Sequence, residues 1–398
     1  MVASRVSGQE LELAGGLGSY VKELVERLQI GTMEGKEKAA STLESLAKQQ
    51  TDYADMIGRS DAVPPLVTLV LVGSPVAQEY AAAALACVAR AKDEWKAQLI
   101  DQGAITPLGT ILRAGGGSAQ EAAAATFASI SDHPEAQKTM LKMGCVPTLV
   151  ELLRRSTAAQ VNASQALAHV AALNLEGQTE VYKAGAVKFL LLLLGAGKAQ
   201  EHAAHAIARL SCRNGTIQAD VCKQGGIARL LALLSDRNMD AQIQAAAALS
   251  ELAQGPNGLG HRKTQDAIST AGGISPLLAM VRCHPVVVKA IAESVRCLAE
   301  VARRNRANQD TIASMDGIKP LVELMQSSTH PDEVHANAAL AVAEICRRNR
   351  ENQSAVADIG GIGQLVVLLR HSGKTEVEAE VAGAISEGTA GVGNTTVR

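Results

Sequence analysis

Apolar residues recur in one fixed pattern along almost the whole chain. Every 40 to 47 residues an aliphatic residue is followed by leucine three positions later and by another apolar residue seven positions later. The first position of this pattern is held by Val21, Val63, Ile105, Val146, Val187, Ile227, Ile274, Ile318 and Ile362. Offsets of three and seven place such side chains on one face of an α-helix. The pattern predicts nine copies of one amphipathic helix, and therefore a chain built from internal repeats.

A second long helix is predicted in each copy. Its core position holds Leu43, Leu85, Phe127, Leu167, Ile207, Leu249, Leu298, Val342 and Ile385. Alanine is abundant around it, as in residues 81–84 and 245–248. Alanine is the best helix former, and its small side chain lets helix backbones approach closely. We therefore predict that these helices pack tightly against their neighbours.

A short polar helix and a tight turn are predicted ahead of the first apolar helix of most copies. The turn starts at Gly103, Gly144, Gly185, Gly225, Gly272 and Gly360, and at Asp61 and Asp316 in two further copies. A helix that ends and restarts sharply needs a left-handed residue, which glycine supplies without strain and aspartate tolerates. We expect a left-handed backbone at all eight positions.

A short helix, a glycine turn and two longer helices in about 42 residues resemble the armadillo repeat. The segment from Ala271 to Leu278, with the sequence AGGISPLL, resembles the characteristic turn of that family, as does the run from Gly360 to Ile362. HEAT repeats, the alternative, have two helices and lack this turn. The resemblance implies an all-α fold, a right-handed superhelical solenoid of about nine armadillo repeats with one continuous core.

The repeats set the expected domain boundaries. We expect a tail or partial cap over residues 1–16, the solenoid over 17–388 and a second tail over 389–398. The repeats are expected to start near residues 17, 60, 95, 136, 177, 217, 262, 307 and 351. Extra residues at 255–260 predict a loop. The pattern decays near Gly388, so we expect an end that frays or continues into further chain, and that offers a surface for self-association.

The composition excludes several classes of function. The 398 residues carry 38 Lys and Arg against 40 Asp and Glu, a net charge of −2, so the basic surface of a general nucleic-acid binder is absent. Aromatic residues make up 2%, which argues against base stacking on single strands. No signal-peptide core and no apolar run of the ~20 residues needed for a membrane span is seen. Seven scattered cysteines suit reduced thiols, and we expect a cytoplasmic protein, with the nucleus and the cytoskeleton as alternatives.

Catalytic signatures are missing from the sequence. It contains no nucleophile elbow, no P-loop and no zinc-protease motif. His202 and His205 lie one helical turn apart, near Cys212 and Cys222, but no carboxylate pattern completes a metal site. Two imidazoles that line a helix face are the simpler interpretation. We expect no enzymatic activity, no cofactor and no metal.

By resemblance, the last helix of each repeat lines a concave groove that binds peptides. The nuclear import adaptors of this family hold basic signals with a tryptophan and, four residues later, an asparagine, and no repeat here carries that pair. The candidate groove residues are Asn162, His169, His202, His205, Arg209, Gln244, Glu251, Glu293, Arg296, Glu300, Asn337, Glu344, Glu380 and Glu387.

Four of these residues form an acidic column in the last four repeats: Glu251, Glu300, Glu344 and Glu387. Helices stacked ~10 Å apart would align them into a ladder, and charge of one sign in a cleft attracts the opposite charge. The hypothesis is that this ladder binds a basic, extended or helical segment of a partner protein. The alternative is a solvated helix face, in which Glu300 pairs with Arg304, and Glu344 with Arg348, at the favourable i, i+4 spacing.

Two arginine runs recur one repeat apart and form a candidate basic edge: Arg303, Arg304 and Arg306, then Arg347, Arg348 and Arg350. Such an edge suits a phosphate or an acidic peptide. The simpler interpretation, which we adopt at this point, is that cations at helix C-termini complement the helix dipole.

The sequence thus predicts a non-enzymatic scaffold or adaptor that binds proteins through its groove, with no nucleic-acid partner. Two alternatives stay open. A nuclear transport adaptor would bind basic signals despite the missing tryptophan and asparagine pair. The chain could also be the interaction portion of a larger protein, such as a ubiquitin ligase.

Overall fold

The chain folds into α-helices joined by tight turns, and no strand occurs in the part that the structure describes. The structure is a computed structural model that describes residues 16–172, 175–195, 197–282, 287–326 and 330–371. These residues form the helices α1 (Leu17–Ile30), α2 (Met33–Gln49), α3 (Thr51–Arg59), α4 (Val63–Val72), α5 (Pro75–Ala91), α6 (Asp93–Asp101), α7 (Ile105–Ala114), α8 (Gly117–Ile130), α9 (Pro134–Lys142), α10 (Val146–Leu152), α11 (Thr157–Ala171), α12 (Leu175–Lys183), α13 (Ala186–Leu193), α14 (Gln200–Ser211), α15 (Gly215–Lys223), α16 (Gly226–Leu233), α17 (Met239–Gln254), α18 (Arg262–Thr270), α19 (Ile274–Val281), α20 (Val288–Ala302), α21 (Arg306–Ser314), α22 (Ile318–Gln326), α23 (Asp332–Cys346), α24 (Arg350–Asp358) and α25 (Gly361–His371).

The chain divides into two units, Met1–Phe189 and Leu190–Arg398. Inside each unit the helices follow one order: a short first helix, a second helix across a tight turn, and a longer third helix. Helices α3, α4 and α5 form such a repeat in the first unit, and α21, α22 and α23 form one in the second. Helix α3 begins at Thr51, ahead of the repeat start expected near residue 60.

Third helices of successive repeats pack directly on one another within each unit. In the first unit the stack runs through α2, α5, α8 and α11, and in the second through α14, α17, α20 and α23. The described core residues predicted for this helix, from Leu43 to Val342, are at most 2% exposed, while Ile385 lies outside the described residues. Alanines such as Ala245, Ala246 and Ala248 are fully buried between the helices, which confirms the tight packing expected from their small side chains.

The left-handed turns are confirmed at all eight predicted positions, where φ lies between 56° and 81°. A Cβ added at the six glycines among them would meet nothing within 4 Å. The backbone angle, and not a lack of space, therefore calls for glycine there. The residue after the turn is limited by space instead. A Cβ at Gly273 would lie 2.6 Å from the Leu231 side chain, which is closer than van der Waals contact allows.

Caps fix where the other helices start. Ser74 and Ser156 accept hydrogen bonds from main-chain N–H groups in the first turns of α5 and α11, and Asn305 and Asn349 do the same for α21 and α24. The loop predicted at 255–260 joins α17 to α18. The predicted tails and the end near Gly388 lie outside the described residues, apart from residue 16.

Two further observations bear on the chemistry of the chain. None of the described helices combines the length and the apolar character that a membrane crossing requires. The cysteines in the described ranges, which exclude Cys283, are free thiols.

Candidate functional site

Two surfaces of the second unit carry most of the predicted site residues. One is the half-buried side of the third helices α14, α17, α20 and α23. The other is the edge where these helices end and the first helices of the next repeats begin. Glu380 and Glu387 lie outside the described residues.

Glu300 and Glu344 are buried, at 3% and 1% exposure. Both oxygens of Glu300 accept hydrogen bonds from Arg303, at 2.8 and 2.9 Å. Glu344 is bound by Arg347 at 2.9 Å and by Arg303, which reaches across from the preceding repeat, at 3.0 Å. Burial raises the pKa of Glu300, although Arg303 opposes the shift. The two carboxylates therefore neutralise arginines inside the repeat stack and do not form an open acidic ladder.

The pairing differs from the i, i+4 pairs considered from the sequence. Each glutamate binds the arginine three residues later, because the helices end at Ala302 and Cys346. The residues four positions on, Arg304 and Arg348, have a left-handed backbone with φ of 53°. Because the backbone is no longer helical there, the arginine side chain does not lie one helical turn from the glutamate, as an i, i+4 pair requires.

A half-buried ion cluster lies closer to the N-terminal end of the same stack of third helices. Arg296 binds Glu293 at 2.8 Å on its own helix and Glu251 at 2.9 Å on the preceding third helix. Burial works to lower the pKa of Arg296, but Glu293 and Glu251 outweigh it and raise that pKa. Burial, followed by the charge of Glu251, also raises the pKa of the nearby Cys212 thiol. Two carboxylates thus share one guanidinium on this surface.

The basic residues in the middle of the predicted groove form hydrogen bonds with neighbouring side chains. Arg209 is exposed, and its Nε donates to Nε2 of His205 at 3.1 Å. In the first unit His169 Nδ1 lies 2.8 Å from the Ser131 hydroxyl. His202 is half-buried. Within the described ranges, no three His, Cys, Asp or Glu side chains lie together in a way that could hold a metal ion.

The amide residues of the predicted groove lie at matching places on the third helices. Asn162, Gln244 and Asn337 are all half-buried. Asn337 Nδ2 donates to the main-chain oxygen of Ala292 on the preceding third helix, at 3.2 Å. At least one of these amides, that of Asn337, therefore joins neighbouring repeats.

A glutamine ladder on the first helices was missed by sequence reasoning. Glutamine recurs at Gln137, Gln178, Gln218, Gln265, Gln309 and Gln353. Gln309 Nε2 donates to the main-chain oxygens of Ala302 and Glu344, at 3.4 and 2.8 Å, and so joins the ends of α20 and α23. The signal was available, because these glutamines repeat with the same spacings as the apolar columns.

The arginine edge forms a pocket of about 490 Å³. It is lined by Arg304, Arg306, Gln309, Arg347 and Arg348, which we call the arginine pocket. Arg350 is exposed at the start of α24 and is not among the lining residues. Arg303, expected on this edge, instead lies in the ion chain between Glu300 and Glu344.

Comparisons with known proteins agree with this architecture. A family model described as Armadillo/beta-catenin-like repeat matches residues 218–254, which cover most of α15 to α17. An engineered protein of known crystal structure is 30% identical with a TM-score of 0.74, over 93% of this chain and 89% of its own. Two further engineered proteins are 29% and 31% identical, each with a TM-score of 0.50, and the matches cover 58% and 59% of this chain and 96% and 99% of theirs. None of the curated proteins matches the chain significantly.

The three-helix repeat with its left-handed turn, together with these matches, defines an all-α armadillo-repeat solenoid. The chain belongs to the armadillo-repeat family. Armadillo repeats typically serve as protein-interaction scaffolds without catalytic activity.

Proposed function

We propose that this chain is a non-enzymatic scaffold that binds an extended, basic segment of a partner protein along the third helices of its second unit. The observation that carries the proposal is the cluster in which Glu251 and Glu293 share Arg296. These three groups together carry one net negative charge, on a side of the helices that is only partly buried. A partly desolvated charge attracts an oppositely charged ligand more strongly than an exposed one does.

Glu300 and Glu344 have a supporting role in this proposal, because both are buried and bound by arginines. Contact with the ligand falls to Glu251 and Glu293. The amide of Gln244 offers both a donor and an acceptor to the main chain of an extended segment.

Binding of short peptides labelled with a fluorophore tests the proposal by fluorescence anisotropy. The unaltered chain should bind a lysine- and arginine-rich peptide and not an acidic peptide of equal length. A double variant, E251Q with E293Q, leaves Arg296 unopposed and should weaken binding at least ~10-fold, which corresponds to about 1.4 kcal/mol.

The matched control is E323Q, which removes an exposed carboxylate from α22, 59% exposed and away from the third helices. It should bind the basic peptide as the unaltered chain does, and circular dichroism should show that both variants keep their helices. Equal affinity of the double variant and the control would contradict the proposal. A nuclear transport adaptor is not proposed, because no repeat has the tryptophan and asparagine pair.

A further inference from the structure

The arginine pocket brings four guanidinium groups to one cavity in the second unit. Arg304 and Arg306 come from the junction between α20 and α21, and Arg347 and Arg348 from the corresponding junction one repeat later. The volume of about 490 Å³ lies in the range of small-ligand sites, roughly 300–1,000 Å³. None of its lining residues belongs to the cluster of Glu251, Glu293 and Arg296.

The carboxylates that bind these arginines are of two kinds. Glu344, which holds Arg347, is buried at 1% exposure and forms part of the fold. Asp310 and Glu351, which hold Arg306 at 3.0 and 2.8 Å, are 48% and 83% exposed. Exposed ion pairs of this sort are weak, because water screens them. An incoming anion of higher charge can therefore compete for Arg306 at little cost.

Two of the lining arginines occupy a strained backbone. Arg304 and Arg348 both have φ of 53°, in the region that glycine adopts freely and that asparagine and aspartate tolerate best among the other residues. This chain uses glycine at most of its left-handed positions. An arginine at this position carries a backbone cost that glycine would avoid, and this cost is present in both repeats that line the pocket.

Repeat six provides an internal comparison. Arg213 precedes the first helix of that repeat in the same way and has φ of 52°. Cys212 stands there where Arg303 and Arg347 stand later, and Gly215 stands in place of Arg306 and Arg350. The strained arginine therefore occurs in repeat six without the surrounding guanidinium groups, which makes it a control position.

We propose that the arginine pocket binds a phosphate monoester. A phosphate group carries about −1.5 to −2 charges at neutral pH and three strong acceptor oxygens, whereas the side-chain carboxylates already bound there carry one charge each. Planar guanidinium groups bind phosphate oxygens in pairs, with two parallel N–H donors. Arg304 and Arg348 are exposed and line the pocket, and their guanidinium groups would turn to the phosphate together with that of Arg306, which exchanges its exposed carboxylates for it.

Isothermal titration calorimetry on the full chain tests this proposal with three probes. They are an alanine-rich peptide with one phosphoserine, the same peptide with serine, and inorganic phosphate. The phosphopeptide should bind at least ~10-fold more tightly than the serine peptide, and its affinity should fall as salt rises. Inorganic phosphate binding as tightly as the phosphopeptide would indicate a free phosphate compound as the ligand; weaker binding would indicate a phosphorylated side chain.

The glycine variants R304G and R348G remove the charge and relieve the backbone strain, so both should stay folded and lose binding at least ~10-fold. The control R213G makes the same backbone change and should bind as the unaltered chain does. The second pair, R304Q and R348Q, keeps a long side chain and should lose binding too. Equal binding of the two peptides, or unaltered binding by R304G and R348G, would overturn the proposal and leave the arginines as cations that complement helix ends.

Discussion

Replacing Glu344 with glutamine removes a buried carboxylate that two arginines share. The oxygens of Glu344 lie 2.9 Å from Arg347 Nε and 3.0 Å from Arg303 Nη1. Glutamine has nearly the same shape, but its amide nitrogen would face the guanidinium donors and its charge is zero. The variant E344Q therefore leaves two partly buried cations without their common partner.

The size of the effect follows from burial. Removal of one partner from a buried ion pair costs ~3–5 kcal/mol. Arg303 and Arg347 are 19% and 32% exposed, so water recovers part of that loss. We expect the free energy of unfolding to fall by about 2–3 kcal/mol.

Urea unfolding followed by circular dichroism measures this change. With a urea dependence of ~2–3 kcal/mol per molar, the midpoint should move down by roughly 1 M. The matched control is again E323Q, whose carboxylate is 59% exposed and lies 4.0 Å from Lys319; its change should stay below ~1 kcal/mol. A midpoint for E344Q equal to that of E323Q would refute the reasoning and would make Glu344 a solvated residue available to a ligand.

Three further outcomes are expected from the same measurement. Because burial raises the pKa of Glu300 above 4.5, the stability of the unaltered chain relative to E300Q should be greatest below pH 4.5 and should fall as the pH rises to neutral; a rise over that range would contradict the direction of the shift. The variant Q309A leaves buried main-chain oxygens at the ends of two third helices without a donor, and it should lower the free energy of unfolding by about 2 kcal/mol. An unchanged free energy of unfolding would show that water replaces the amide. The variant G58A places a Cβ 2.5 Å from the Trp95 ring and should cost ~1–3 kcal/mol, so an unchanged midpoint would show that the indole moves aside freely.

Local interactions explain why the repeat was predictable. The apolar columns and the left-handed turns depend on residues within a few positions of one another, and the eight predicted turn positions all have positive φ. The fully buried Leu43 and Leu85 lie at their predicted core positions for the same reason. The helix order and the armadillo resemblance follow from this local pattern.

The candidate site was less predictable, because its polar contacts join different repeats. Glu300 and Glu344 sit at helical spacings typical of a solvated face, yet they are buried. Their partners depend on where α20 and α23 end and on Arg303, which crosses to the next repeat. No periodicity in the sequence distinguishes a glutamate that faces a groove from one that neutralises an arginine beneath it.

The sequence by itself determined the period, the helical faces and the positions of the turns, because each of these follows from backbone geometry and local side-chain spacing. Only the tertiary structure decided which polar groups are buried and which meet at a surface. It joined the ends of successive third helices through the Gln218 and Gln309 amides, gave Glu344 two arginines, and gathered Arg304 and Arg348 into one pocket. The physical reason is that the free energy of a charge depends on its solvation and on its nearest opposite charge, and here both are set by residues a whole repeat away.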